Sequence, residues 1–331
     1  MIKSQFWLID LSAIKKCYVC ILSMNTAFSN RPNPAIQLGV LFALVGICLF
    51  LCLFFIKISL PVLFGVKDPD LFIVSMESQQ KMINASLFMQ SLASTWGMFM
   101  LPALIFTQVM RYKLGDFFQV NSFPRWSDVI IAIVLIVAGG VFINLIVSLT
   151  KMIPLPAGLE SLRHSQEATE KLIKSFFSKN SWTHFAILLL VLAALPAIAE
   201  ELFFRGVIQN LLQKTSLGTI GAIVISALSF SLMHLEFDNF FAIWFMGIVL
   251  GYLYFVTQNL WVSIIAHFIN NAGMITMKYA FINGILEADL SESDEVSVPY
   301  TLVAGLVMFA LLYYLSKTKG KFLHTKNFTH E

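Results

Sequence analysis

Three short groups of residues in this sequence carry side chains that could do chemistry, and each is spaced to share a helical face. The first is Glu200-Glu201-Leu202-Phe203-Phe204-Arg205. Glu201 and Arg205 are four apart, in the stabilising order for a helical ion pair, whereas Glu200 points about 100° away from Glu201 and has no local cation. That division suggests one structural carboxylate and one free for reaction. The second group is Phe230-Ser231-Leu232-Met233-His234, with Phe230 and His234 on one face. The third is His267-Phe268-Ile269-Asn270-Asn271, where His267 and Asn271 again lie four apart. A carboxylate, two imidazoles and an amide on three helices are the parts of a water-activating hydrolytic site. The carboxylate would serve as general base, and an imidazole can orient the same water or bind a metal. A second imidazole and an amide N–H can donate to a developing oxyanion.

The elements that must position these groups are apolar. Of 331 residues, 58% are hydrophobic and 12% charged, with a mean hydropathy of +0.79. Soluble domains carry about twice that share of charge, which excludes an ordinary water-soluble enzyme and any disordered or nucleic-acid-binding class. Charge is nearly balanced, 22 Lys and Arg against 19 Asp and Glu, so no polyanionic partner is implied. A crossing helix needs about 20 apolar residues. Eight such runs occur: Ile36–Ile56, Ser86–Val109, Val129–Leu149, Phe185–Leu212, Leu217–Leu235, Phe240–Val256, Leu260–Phe281 and Val298–Leu315. They read as helices, because only helices and closed barrels satisfy the backbone in lipid and these runs lack barrel alternation. The expected fold is therefore an all-α, polytopic membrane helical bundle of about eight transmembrane helices. Ionisable groups inside a bilayer cost a few kcal/mol each, so those in the fourth, fifth and seventh runs need a reason.

Loop charge orients the chain. Lys3, Lys15, Lys16 and Arg31 precede the first span, Arg111, Lys113 and Arg125 fill the second loop, and Lys317, Lys319, Lys321 and Lys326 occupy the tail. Both termini are expected in the cytoplasm. The loop before the last span is acidic, and Ala157–Phe177 reads as an amphipathic interfacial helix. The apolar stretch before Met24 is too short to span and lacks a small-residue cleavage site, so Met24 is the expected initiator. Cys17 and Cys20 form a C-x-x-C with no second pair, and Cys48 and Cys52 read as small core hydrophobes.

Depth is a test of whether the groups can meet. At 1.5 Å per residue, Glu200 stands about 21 Å from Lys214 and His234 about 24 Å from Gly218, but His267 only about 12 Å from Asn259. Convergence then needs tilt or a break in helix geometry.

The order E-E-x-x-x-R, F-x-x-x-H, H-x-x-x-N resembles the CPBP intramembrane proteases, which include the type II CAAX prenyl endopeptidases and bacteriocin-processing enzymes. The resemblance covers about residues 182–281, and no motif position is substituted. With the apolar runs and the loop charge, it divides the chain into four expected segments. Residues 1–35 are a cytoplasmic N-terminal segment, and 36–181 hold N-terminal transmembrane helices and the amphipathic loop. Residues 182–281 form the protease core, and 282–331 an acidic loop, last helix and basic tail. It implies an integral, multi-pass endopeptidase, in the plasma membrane if the source is prokaryotic. Its partners would be lipids and a membrane-anchored peptide or protein substrate, of CAAX type or another. By the same resemblance Glu200 and His234 activate the water, and His267 and Asn271 serve the oxyanion. Two versions stay open: a zinc ion held by Glu200, His234 and His267, or no cofactor at all. Nothing resembles H-E-x-x-H.

Other readings compete. A lone intramembrane His is as often a packing residue as a catalyst, and Glu201 with Arg205 is more readily structural than catalytic. Phe230 is packing beside His234. Gly247 and Gly251 form a G-x-x-x-G suited to close helix contact. A secondary transporter would also carry buried Glu, Arg and His, with Pro196 marking a broken helix, but no second half echoes residues 200–271. A non-catalytic scaffold or bacteriocin-immunity protein of the same fold would not need every polar motif position.

Overall fold

A computed structural model describes residues 31–65, 79–152, 174–177, 181–287 and 298–326. The expected initiator Met24, the pair Cys17 and Cys20, and nearly all of the amphipathic stretch lie outside these residues.

All elements among the described residues are helical. We label them α1 (Pro34–Phe64), α2 (Ile83–Val109), α3 (Leu114–Phe118), α4 (Trp126–Lys151), α5 (Trp182–Leu212), α6 (Gly218–His234), α7 (Phe240–Thr257), α8 (Leu260–Ile282) and α9 (Val298–Lys326). Seven are long and apolar enough to cross a membrane, making this an integral, multi-pass membrane protein. The exception besides the short α3 is α6, whose 17 residues stand at the short end of the length a crossing needs. The fifth expected span is found as this helix, each end within one residue of Leu217–Leu235.

Local chemistry explains the ends. In α1, Asn33 caps the first turn by accepting from the Ile36 N–H, Pro34 takes the position where a missing N–H is harmless, and Gly65 closes the helix in the left-handed region at φ 71°. This helix runs past the expected end at Ile56, through Lys57, to Phe64.

Two helices contain Leu-Pro-Ala in mid-span, and both handle it alike. In α2 the turns Ser91–Met100 widen to π geometry just before Leu101-Pro102, and in α5 Leu189–Ala194 do so just before Leu195-Pro196. Proline removes an N–H and its ring crowds the preceding turn, so a wide turn accommodates it without ending the helix. A second π segment in α5, Leu202–Gln209, begins directly after Glu201. The fourth span, although Pro196, Glu200, Glu201 and Arg205 stand inside it, is therefore one continuous helix.

The main core gathers Leu41, Phe99, Phe106, Phe118, Phe204, Phe230, Tyr254 and Leu260 from α1, α2, α3, α5, α6, α7 and α8. A second core joins α4, α7, α8 and α9 through Leu135, Leu250, Val262 and Met308. The polar groups of α5, α6 and α8 belong with the first.

Candidate active site

The site starts from the ion pair that the spacing predicts. Arg205 Nη1 donates to Glu201 Oε1 at 2.6 Å, with the arginine side chain 1% and the glutamate 0% exposed. Two charges with no water must be compensated by each other and by neighbours. Arg205 Nη2 donates to the Gly247 carbonyl at 3.0 Å, and its guanidinium lies over the Phe230 ring at 4.8 Å.

One turn on, Gln209 Nε2 donates to the Gly251 carbonyl at 3.0 Å. Arg205 and Gln209, four apart on α5, thus grip two carbonyls four apart on α7. The two glycines make this reach possible. A Cβ on Gly247 would lie 2.9 Å from the Ala227 Cβ, and one on Gly251 would lie 2.7 Å from Gln209 Oε1. The G-x-x-x-G contact is real, and its partners include the polar side chains of α5 as well as α6. Buried serines extend the lacing: Ser226 donates to the Phe204 carbonyl at 2.9 Å and Ser263 to the Leu250 carbonyl at 3.0 Å.

The same Glu201 oxygen also receives His267. Nδ1 of that ring lies 2.9 Å from Glu201 Oε1, and Nε2 lies 3.7 Å from Glu200 Oε2. A carboxylate next to an arginine can only accept, so Nδ1 carries a proton and donates it. Nε2 is then the atom turned toward Glu200, just beyond hydrogen-bond length. The depth mismatch between Glu200 and His267 has closed, as ideal upright helices would not have allowed. Glu201 Oε2 finds no partner among the described residues, so one oxygen serves both Arg205 and His267.

Phe230 binds the group together. Its ring meets that of His234 at 4.6 Å between centroids, His267 at 5.7 Å and Phe204 at 5.1 Å, all nearly edge-on. Its own carbonyl is 2.8 Å from His234 Nδ1. A carbonyl cannot donate, so Nδ1 of His234 carries the proton and Nε2 is the nitrogen left for other partners. His234 is the last residue of α6 and is exposed, followed by Leu235 in the left-handed conformation at φ 54°. The end of α6 at His234 is what opens this histidine to its surroundings.

Glu200 is 12% exposed, against 0% for Glu201. Asn271 is partly buried, and its side-chain carbonyl accepts from Asn270 Nδ2 at 3.3 Å, leaving its own NH2 uncommitted among the described residues.

The three side chains named for a zinc ion, Glu200, His234 and His267, do not converge on one point in this structure. Among the described residues no three His, Cys, Asp or Glu side chains gather as a metal-holding group. His267 gives Nδ1 to Glu201 and His234 gives Nδ1 to a backbone carbonyl, so Nε2 is the nitrogen each ring would offer to an ion. No chemical step is routed through an ion here.

The fold and site together define a multi-pass helical membrane protein with a carboxylate–histidine centre within its bundle. Residues 182–273 match the family model described as type II CAAX prenyl endopeptidase, Rce1-like, the family that the three motifs resemble. This match supports a protease-type hydrolase at the general level. No curated protein and no solved structure matches the chain.

Sequence reasoning missed Gln209, the serine lacing and the Glu201–His267 bond. For Gln209 a signal existed, since it repeats the Arg205 position one turn on and faces the second glycine of the pair.

Proposed function

We propose that this protein is an intramembrane endopeptidase that hydrolyses a peptide bond in a membrane-anchored protein or peptide, with water activated by Glu200. The observation that carries this reading is the His267 ring lying between the two glutamates, at 2.9 Å from one and 3.7 Å from the other. It separates their duties. Glu201, fully buried and shared by Arg205 and His267, fixes geometry. Glu200, less buried and without an arginine of its own, is left to accept a proton.

In this mechanism Glu200 takes one proton from water as the water oxygen bonds to the scissile carbonyl carbon. His234 Nε2, an acceptor, orients the same water through its other hydrogen. The carbonyl oxygen becomes an oxyanion, which the Asn271 NH2 and the His267 ring stabilise. Donation from His267 Nε2 requires the doubly protonated ring, whose charge the two carboxylates offset together with that of Arg205. Glu200 then passes its proton to the departing amine nitrogen as the C–N bond breaks. We place both termini in the cytoplasm, because the basic loops flank the ends of α1, α2 and α5.

The test is to reconstitute the purified chain in liposomes with lipid-anchored peptides, including one ending in a prenylated CAAX sequence, and to identify products by mass spectrometry. A defined cleavage that persists in the presence of a zinc chelator is expected. Proton-coupled solute flux with no cleavage of any anchored peptide would replace this reading with the transporter.

A further inference from the structure

Outside the site, one cluster of charge has no use in the mechanism. It lies where α1 begins, where α2 and α5 end, and against α3. The Tyr112 ring stacks on Phe117 with centroids 4.0 Å apart. The Arg31 guanidinium covers Tyr112 at 4.1 Å, and Lys214 Nζ stands 5.3 Å from the same ring and 5.8 Å from Phe117. Lys214 Nζ is also 3.5 Å from the Tyr112 hydroxyl, which donates to Gln37 Oε1 at 2.9 Å. Arg31 Nη2 reaches the Arg111 carbonyl at 3.4 Å, and Arg111 holds a left-handed backbone at φ 52°.

Two cations are therefore gathered on one aromatic ring, and neither meets a carboxylate among the described residues. The nearby Asp116 is engaged by Asn121. Cation–π contact holds the charges in place but does not neutralise them. Both side chains are exposed, so their charges are open to an anion from outside the chain.

The level of the cluster says what that is. Apolar helices begin at Pro34 and Gly218 and end at Val109 and Leu212, so the cations stand at the bilayer boundary. Beside them Ile36, Val109, Leu217 and Ile220 expose apolar side chains. A diacyl lipid has this profile, with a phosphate at the boundary and chains running along apolar helix faces. A zwitterionic lipid brings its own ammonium and would leave the two cations uncompensated.

We propose that Arg31, Lys214 and the Tyr112 ring form a binding site for the phosphate of an anionic phospholipid, separate from the hydrolytic centre. The guanidinium fork suits phosphate oxygens in a bidentate arrangement, and the ammonium adds a point charge from the ring edge.

The experiment uses the full chain in nanodiscs of phosphatidylcholine mixed with phosphatidylglycerol. Lipid that stays bound is read by native mass spectrometry after transfer to detergent. The wild type should retain phosphatidylglycerol in preference to phosphatidylcholine. The double variant Arg31→Gln with Lys214→Gln should bind it about 30-fold more weakly. Arg125→Gln, which removes an exposed charge outside the cluster, should leave retention unchanged. If the double variant loses its fold, either single variant, each removing one exposed charge, should show about a fivefold loss. Equal retention in wild type and cluster variants would overturn the site, as would an equal loss in Arg125→Gln, which would mean diffuse attraction. Inorganic phosphate displacing the lipid at matched concentration would overturn the lipid assignment and mark a free-anion site.

Discussion

Replacing Glu201 with alanine tests how the buried charges are organised. Its Oε1 is the acceptor for both Arg205 at 2.6 Å and His267 at 2.9 Å, and the side chain has no exposure to solvent. Breaking a buried pair by removing one partner costs about 3–5 kcal/mol, because the remaining charge keeps its desolvation penalty without compensation. Arg205 would retain the Gly247 carbonyl and the Phe230 face, which soften that loss without supplying an anion. His267 would lose an acceptor as well, and a hydrogen bond to a charged group contributes about 1.5–3 kcal/mol. The two losses share one carboxylate and do not add. The expected destabilisation of Glu201→Ala is therefore about 3–5 kcal/mol, measured by reversible unfolding in mixed micelles of increasing denaturing detergent. The double variant Glu201→Leu with Arg205→Met removes both charges and should recover most of that stability, giving a large coupling energy in the double-mutant cycle. It should not recover activity, since His267 would still lack its anchor. Glu201→Ala within about 1 kcal/mol of wild type, or strictly additive single effects, would refute the pairing as the organising contact.

Other outcomes follow from the same contacts. Gly251→Ala pushes a methyl against Gln209 Oε1 and should destabilise by about 1–3 kcal/mol, less so in a Gln209→Ala background, as read by the same unfolding assay. Asn271→Ala should lower kcat by about 10²–10³ with KM little changed, and a raised KM at unchanged kcat would make it a binding contact instead. His234→Ala should leave stability near wild type, because the ring is exposed at a helix end, yet should reduce turnover of the anchored peptide severely; full activity would remove it from the mechanism.

How legible this was depends on the range of each interaction. The apolar runs announced the helices, since bilayer thickness acts on composition directly. Glu201 with Arg205 was legible because a four-residue spacing is local geometry. Which glutamate His267 would hold was not, because those residues lie 66 apart and meet only through packing of α5 against α8. The depth estimate assumed upright helices of uniform rise, while α5 carries two π segments, one of them starting directly after Glu201. The fifth run was legible to within a residue at each end, but the exposure of its last residue, His234, beside the turn Leu235–Asn239 was not. Gly247 and Gly251 were readable as a close contact, but the side chains filling that contact were set by a neighbour helix that the pattern alone does not name.

The most direct test of the account is turnover by Glu200→Gln, measured as cleavage of the anchored peptide by reconstituted protein alongside its unfolding curve. Glutamine keeps size and shape but cannot accept the proton from water. The account predicts loss of cleavage to background with stability close to wild type and well above that of Glu201→Ala. Cleavage by folded Glu200→Gln at a rate near wild type would contradict it.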